Sequence, residues 1–270
     1  MATGASGDPS ISQMYSQYLN LDALLSAQQP LSDGPEHDEM LFIIIHQIYE
    51  LWFKEMLHEL DYLCRRLDQD RLTGALDTFK RILTILKVLV SQIDVLETMT
   101  PIDYLTFRDR LAAGSGFQSY QFRQFEFILG AKRRSVVDHF PEGSVAREAL
   151  ERRYGDPSLW DAFLKYLSRA GYQVPESLLS RDVTQPVEPS PDLQTVLIEI
   201  YRTDPATMQL CERMVDLDEG VQEWRYRHVK MVQRTIGTKL GTGGSSGAEY
   251  LKSTLFHEAF PDLWAIRTDL

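Results

Sequence analysis

The hydrophobic and polar positions along the chain repeat with the period of an α-helix. From Asp38 to Leu67, apolar residues recur at spacings of three and four, which predicts one long amphipathic helix. The same period predicts a helix from Ala75 to Met99, and another from Pro205 to Ile236 that Gly220 could interrupt. No stretch shows the strict alternation of a β-strand, so the pattern predicts an all-α fold without internal repeats.

Local signals mark the ends of further helices. Thr100 and Pro101 suit the cap and first position of a helix, and Asp103 suits its positive end. We expect this helix to end near Ala113. The segment from Pro175 to Pro191 carries four prolines and is predicted to be a loop around at most a short helix. Four other short helices are predicted: Gln121 to Leu129, Asp156 to Ala170, Asp192 to Arg202 and Ala248 to Phe256.

Composition and charge argue against several classes of protein. A net charge of -11 disfavours a nucleic-acid-binding protein, because phosphate contacts need a basic face. Cys64 and Cys211 lie far apart and outside any CxxC pair, so neither a disulfide framework nor a zinc site is expected. The CxxCH signature is absent, so any haem would be bound non-covalently.

The chain has no region that reads as a membrane or export signal. Its start lacks the apolar core of a signal peptide, and no apolar run approaches the length of a membrane span. We therefore expect a cytoplasmic protein with no membrane partner. Residues 1–14 are expected to form a flexible N-terminal segment, and residues 15–270 a single large helical domain.

Two histidines occupy apolar faces of different predicted helices. His46 follows Phe42 by one turn, and His228 follows Trp224 by one turn. Taken alone, each is more often a core histidine with a satisfied hydrogen bond than a ligand. Together they suit a haem pocket between helices, because haem iron takes a neutral imidazole and the macrocycle needs apolar walls. Their spacing does not show which of the two would bind iron.

Tyr104 and Arg108 are four positions apart, so one helix would present both on one face, which Leu111 continues. An arginine in this setting could hold a carboxylate through a bidentate fork. The alternative is that its side chain reaches the surface or pairs with an acidic residue.

Two further patterns are less specific. Gly237 to Gly247 lacks Gly-Lys-Ser/Thr and follows a helix, so it does not indicate a phosphate-binding loop. A lid that closes over a ligand and a disordered loop both remain open for this segment. Glu55 and His58 form a single Glu-x-x-His, whereas a diiron bundle needs two such motifs and two further glutamates.

Several segments, taken in order, resemble the tryptophan 2,3-dioxygenase family. The resemblance extends from about Tyr15 to Trp264. The similar segments are YSQYL from Tyr15, LLSAQ from Leu24, FIIIHQIYELWFK from Phe42, YLTFR from Tyr104, GSGFQS from Gly114, QFR from Gln121, WRYRH from Trp224 and GTGGSSG from Gly241.

The resemblance implies an enzyme that adds O2 across the indole C2–C3 bond of L-tryptophan and gives N-formyl-L-kynurenine, the first step of the kynurenine pathway. It implies one non-covalent haem b per subunit, ferrous when active, with His228 as the axial ligand of the iron. The residues that would line the cofactor beside His228 are Trp224, Ser115 and Gly116.

The resemblance also assigns the substrate contacts. His46, on the distal side, would hydrogen-bond the indole N–H, and Arg108 would hold the carboxylate with Tyr104 nearby. Phe42 and Leu111 would pack the indole, and Thr242 would engage the ammonium and carboxylate end. The other implied contacts are Ile43, Ile44, Ile45, Ser115 and Gly116, together with Tyr15, Tyr18 and Leu19 from a neighbouring subunit of a homotetramer.

Other functions compete with this interpretation. A helical haem sensor without turnover is disfavoured because a sensor has no need of the amino-acid clamp formed by Arg108, Tyr104 and Thr242. A purely structural helical oligomer would bind no haem. The related indoleamine 2,3-dioxygenases have broader substrate use, and His46 with the glycine-rich segment favours the tryptophan-specific branch.

Overall fold

The chain folds into helices that connect through short turns. The computed structural model describes residues 11–34, 36–111, 118–241 and 248–270, and these ranges contain α-helices, 3-10 helices and no strand. This confirms the all-α prediction. The α-helices are α1 (Ile11–Leu19), α2 (Leu21–Leu25), α3 (His37–Asp68), α4 (Leu72–Leu96), α5 (Pro101–Phe107), α6 (Tyr120–Ile128), α7 (Arg134–Asp138), α8 (Val145–Gly155), α9 (Leu159–Arg169), α10 (Glu176–Leu179), α11 (Pro191–Thr203), α12 (Pro205–Ile236), α13 (Ala248–Lys252) and α14 (Pro261–Ala265).

Three long helices form the frame of the domain. α4 packs along both α3 and α12, and α3 also packs against α6 and α9. The apolar faces that predicted these helices meet in one large core, where Met56, Phe79 and Met214 are fully buried. Burying a large apolar side chain contributes about 1.5–3 kcal/mol, so this core supplies the main stabilising free energy of the domain. None of the helices in the described ranges is long and apolar enough to cross a bilayer.

Gly220 does not interrupt α12, which is continuous from Pro205 to Ile236. A Cβ atom at Gly220 would lie 2.6 Å from Leu86 Cδ2 of α4. The glycine therefore permits the close approach of two long helices, and the expected interruption was wrong.

Several helix ends differ from the sequence prediction, among them those of α4, which runs from Leu72 to Leu96 and was expected from Ala75 to Met99. The third predicted helix was expected to reach Ala113, but α5 ends at Phe107 and a 3-10 helix, Arg108–Leu111, follows it. Its predicted start is confirmed, since Thr100 and Asp103 form a capping box. α9 begins at Leu159, beyond the predicted Asp156, because Ser158 caps it.

Several helices were absent from the sequence prediction. α8, Val145–Gly155, lies in a region that was left unassigned, because most of its side chains are polar or charged. α1, α2, α7 and α14 were also missed. The last predicted short helix was expected to reach Phe256, but α13 ends at Lys252. The short helix expected within the proline-rich segment is α10. Residues 1–10 lie outside the described ranges, so the flexible N-terminal segment stays a prediction.

The buried carboxylate of Asp218 attaches the end of the chain to α12. Its Oδ2 accepts hydrogen bonds from the backbone N–H groups of Ala259 (2.8 Å) and Phe260 (3.2 Å), and from Trp264 Nε1 (2.9 Å). Phe260 stacks on Trp160 with ring centroids 5.6 Å apart, so this attachment also covers part of the core.

We expect Asp218→Ala to lower the free energy of unfolding by about 3 kcal/mol or more, because an unsatisfied buried donor costs about 1–3 kcal/mol. Urea unfolding followed by circular dichroism measures the loss. Asp216→Ala on the same helix is the control, because Asp216 forms an ion pair with Arg213 whose side chains are 40% and 45% exposed. This pair is worth about 1 kcal/mol at most. Equal unfolding midpoints for the two variants would contradict the role of Asp218.

Candidate active site

His46 of α3 and His228 of α12 share one crevice. Solvent reaches both rings, since His46 is exposed and His228 is half-buried. Nevertheless, surrounding protein lowers the pKa of both imidazoles, and the pKa of His228 falls to about 4. Desolvation by burial is the largest cause for each, and the charge of His46 is the next cause for His228. The two imidazoles are near enough for His46 to affect the pKa of His228, and we call the space beside them, between α3 and α12, the crevice.

The hydrogen bond of His46 determines its tautomer. Nδ1 lies 2.7 Å from the backbone oxygen of Phe42, one turn earlier on α3. A carbonyl oxygen can only accept a hydrogen bond, so Nδ1 carries the hydrogen and is the donor. Because the lowered pKa keeps the ring neutral, Nε2 is an acceptor. His46 therefore offers a hydrogen-bond acceptor to a ligand, which suits an N–H donor.

An apolar wall adjoins His46. The Phe42 ring lies 4.1 Å from the His46 ring and 5.5 Å from the ring of Phe107, measured between centroids. Helices α3, α5 and α12 all contribute to this wall, so it spans the crevice. Its members are Leu41, Phe42, Ile45, Tyr49, Leu96, Met99, Tyr104, Phe107, Leu111, Met231 and Ile236.

The plane of the His228 ring is set by Trp224. The two rings are parallel within 4° and their centroids are 5.1 Å apart. Trp224 in turn contacts Phe122 of α6 at 5.0 Å and Phe53 of α3 at 6.2 Å. No described residue forms a hydrogen bond with the His228 ring. Within the described part of the chain, nothing therefore occupies its two ring nitrogens. A neutral imidazole whose plane is fixed by stacking fits the needs of a haem ligand.

Arg108 is the residue to which the resemblance assigned the substrate carboxylate. It begins the 3-10 helix after α5, and its Nη2 donates to the backbone oxygen of Leu240 at 2.6 Å. Its Nε is buried and has no hydrogen-bond partner, and no described carboxylate forms an ion pair with it. Tyr104 lies in the preceding turn, where burial raises the pKa of its hydroxyl against the opposing charge of Arg108. The guanidinium therefore has a buried donor available to an anionic group.

The structure brings together only some of the expected residues. Phe42, Ile45, Tyr104 and Leu111 belong to the wall beside His46. Ile44 is 38% exposed, and neither Ile43 nor Ile44 is a member of that wall, so their contact with substrate stays a prediction. Tyr15, Tyr18 and Leu19 lie on α1 with exposed side chains. Ser115, Gly116 and Thr242 fall outside the described residues.

Sequence reasoning missed an ion cluster near His228. The carboxylate of Glu126 on α6 contacts three guanidinium groups, those of Arg123, Arg133 and Arg225. Burial raises the pKa of Glu126, but these three charges outweigh it and hold the pKa below its usual value. The sequence did offer one signal of this cluster, because Arg123 and Glu126 are three positions apart within an apolar segment. The same spacing is equally typical of an ion pair on the protein surface.

Comparison with known proteins gives a consistent result. The family model described as tryptophan 2,3-dioxygenase matches residues 2–169 and 190–270. A tryptophan 2,3-dioxygenase of Herpetosiphon aurantiacus is 59% identical over 95% of this chain and 98% of its own length. Proteins of the same name are 54% identical in an Anaeromyxobacter species, over 94% of both chains, and 40% identical in Bacillus thuringiensis, over 100% of this chain and 97% of the other. The chain therefore belongs to the tryptophan 2,3-dioxygenase family.

Proposed function

We propose that this protein is a tryptophan 2,3-dioxygenase that converts L-tryptophan and O2 into N-formyl-L-kynurenine. The C2–C3 bond of the indole breaks and the product retains both oxygen atoms. The observation that carries the proposal is the pair of neutral histidines, His46 on α3 and His228 on α12, together with an apolar wall to which both helices contribute. Bound ferrous haem b supplies the oxygen chemistry, while the chain supplies binding and orientation. The cytoplasmic location expected from the sequence stays a prediction.

His228 would be the axial ligand of the haem iron. Its low pKa keeps the imidazole neutral, which is the form that binds iron, and Trp224 fixes the plane of the ring. The Nδ1 bond of His46 to Phe42 leaves its Nε2 free, which would suit a metal as well as a substrate donor, so the choice of His228 as the ligand rests on the family resemblance. Ser115 and Gly116 complete the cofactor contacts in this proposal.

His46 would orient the indole by accepting a hydrogen bond from its N–H at Nε2. The neighbouring ring of Phe42 would pack the indole face, and Leu111 would lie at its edge. These apolar groups also exclude water from the reacting carbon atoms. The assigned tautomer favours orientation by His46, because a fixed acceptor positions the substrate whether or not the proton moves.

Arg108 would hold the substrate carboxylate. Its buried Nε lacks a partner, and a carboxylate accepting from Nε and one Nη would form a bidentate pair. Leu240, which accepts from the other side of the guanidinium, is two residues before Thr242 in the sequence. Thr242 would therefore reach the ammonium end of the same substrate.

We expect the anaerobically reduced, haem-loaded protein to form N-formylkynurenine when L-tryptophan and then air are added, as followed by product absorbance.

His46→Ala is expected to keep the haem absorption band but lose most turnover. His228→Ala is expected to lose stable haem binding. A haem spectrum that responds to tryptophan without product would instead identify a sensor. Normal haem binding by His228→Ala would refute the axial assignment.

We expect Arg108→Leu to raise the dissociation constant of L-tryptophan roughly 10- to 150-fold, because a charge-assisted hydrogen bond is worth about 1.5–3 kcal/mol. The spectral change of the haem on binding gives the constant. Tryptamine, which lacks the carboxylate, is the matched control and should lose less than about threefold. An equal loss for both ligands would show that Arg108 shapes the crevice without binding the carboxylate.

We further propose that α1 completes the active site of a neighbouring subunit in a homotetramer. Met14, Tyr15 and Tyr18 are 56%, 62% and 89% exposed, and such a patch of large apolar side chains marks an interaction surface. We call residues 1–20 the N-terminal arm. The segment that connects the arm to α3 is held in place, since the Glu39 carboxylate accepts hydrogen bonds from the backbone N–H groups of Leu31 (2.7 Å) and Ser32 (3.2 Å).

A mixing experiment tests the exchange of arms. A chain lacking residues 1–20 keeps Arg108 but has no arm, whereas the Arg108→Leu chain keeps its arm but has no clamp. If arms cross between subunits, co-assembled chains contain complete sites, and we expect activity several times the sum of the two separate preparations. If each arm serves its own chain, no complete site forms and the activities only add.

A further inference from the structure

The ion cluster around Glu126 joins residues of α6 and α12 to Arg133, the residue before α7. Arg123 Nη1 lies 2.6 Å from Glu126 Oε2, Arg133 Nη2 lies 3.0 Å from the same oxygen, and Arg225 Nη2 lies 2.8 Å from Oε1. Arg123 and Glu126 are only 6% and 3% exposed. Arg225 also donates through Nη1 to the backbone oxygen of Thr254 at 3.4 Å. Both oxygens of the carboxylate are therefore occupied by guanidinium groups.

Two members of the cluster are sequence neighbours of residues that pack around His228. Arg225 follows Trp224 in α12 and precedes His228 by less than one turn. On the other side, the Arg123 guanidinium lies 5.1 Å from the centre of the Phe122 ring, and that ring packs against Trp224. The charges therefore approach the histidine from both α6 and α12.

The described members of the cluster carry a net positive charge. Three guanidinium groups and one carboxylate carry a formal charge of +2. Arginine stays ionised in proteins, and a charge in the low-dielectric interior acts over a longer distance than one in water.

Positive charge near a haem centre favours its reduced form. A carboxylate that accepts from a ligand imidazole makes it a stronger donor to the metal. Among the described residues no carboxylate hydrogen-bonds His228, and the fixed charges near it are net positive. Adding one electron to ferric haem makes the centre more negative, so nearby positive charge stabilises the ferrous form.

We propose that Arg123, Glu126 and Arg225 form a positioning cluster whose positive charge shifts the haem towards its ferrous state. This inference rests on the proposed ligation of haem by His228. The reduced state is the one that the dioxygenase reaction uses, so the cluster supports the reaction without touching substrate or oxygen.

Spectroelectrochemical titration of the haem-loaded protein measures the effect. At the solution potential where wild-type protein is half reduced, we expect Arg225→Gln to show a ferrous-to-ferric ratio about tenfold lower, a shift of about 59 mV for one electron. Glu126→Gln removes the negative charge of the cluster, so its ratio should be several-fold higher than that of the wild type. Opposite signs from two changes in one cluster separate an effect of charge from damage to the structure.

Two further variants complete the design. Arg225→Lys keeps the charge and should restore a ratio near that of the wild type. Arg133→Gln is the matched control, because its side chain is 37% exposed and solvent screens its charge, so it should change the ratio by less than about threefold. The inference is overturned if Arg225→Gln leaves the potential unchanged, or if Arg225→Gln and Glu126→Gln shift it in the same direction. It is also overturned if Arg225→Gln lowers haem affinity alone, which would make the cluster a binding site for the cofactor's carboxylates.

Haem uptake by the wild-type protein separates this inference from the function on which it rests. If the wild-type protein takes up no haem, the proposed function and the inference both fail. If it takes up haem and forms product, but the variants show none of the expected shifts, only the inference fails.

Discussion

The parallel contact between Trp224 and His228 fixes the group on which the rest of the site depends. The two residues are one turn apart on α12, so the helix sets their separation and the stacking sets the plane of the imidazole. Trp224 is itself held between α3 and α6 by the rings of Phe53 and Phe122. Tyr49 of α3 connects this group of rings to α4, because its hydroxyl donates a hydrogen bond to the backbone oxygen of Leu89 at 2.7 Å. A side chain supported by four packed helices keeps one geometry, which is what the ligand proposed here would require.

The substrate side of the crevice is built differently. Arg108 lies in a 3-10 helix, whose hydrogen bonds are weaker than those of an α-helix, and it contacts the backbone of Leu240 just beyond α12. His46, by contrast, is fixed to α3 through its bond to Phe42. The indole end of a substrate would therefore meet a rigid wall, while its carboxylate would meet the ends of two chain segments. This division suits an enzyme that holds its cofactor permanently and must release its product.

The long helices were predictable because their apolar period persists over many turns, whereas α8 was not. In α8 only Ala149 and Leu150 are buried, and a face that small leaves almost no periodic signal among charged residues. The start of α9 was misplaced because Pro157 is a strong local signal. The capping box of Ser158 and Asp161 is stronger, since it satisfies two otherwise unpaired backbone groups.

The two histidines were candidates from sequence because each interrupts an apolar stripe. Their meeting at one crevice was not predictable, since it depends on how α4 packs along both α3 and α12. Glu126 was missed for a related reason. Its partner Arg123 suggests a solvated pair, and burial follows only from the packing of α6 against α3 and α8. A buried ion cluster is weak evidence for stability, because apolar replacements are often neutral or stabilising. The place of this cluster near His228 is therefore better explained by its charge than by its contribution to folding.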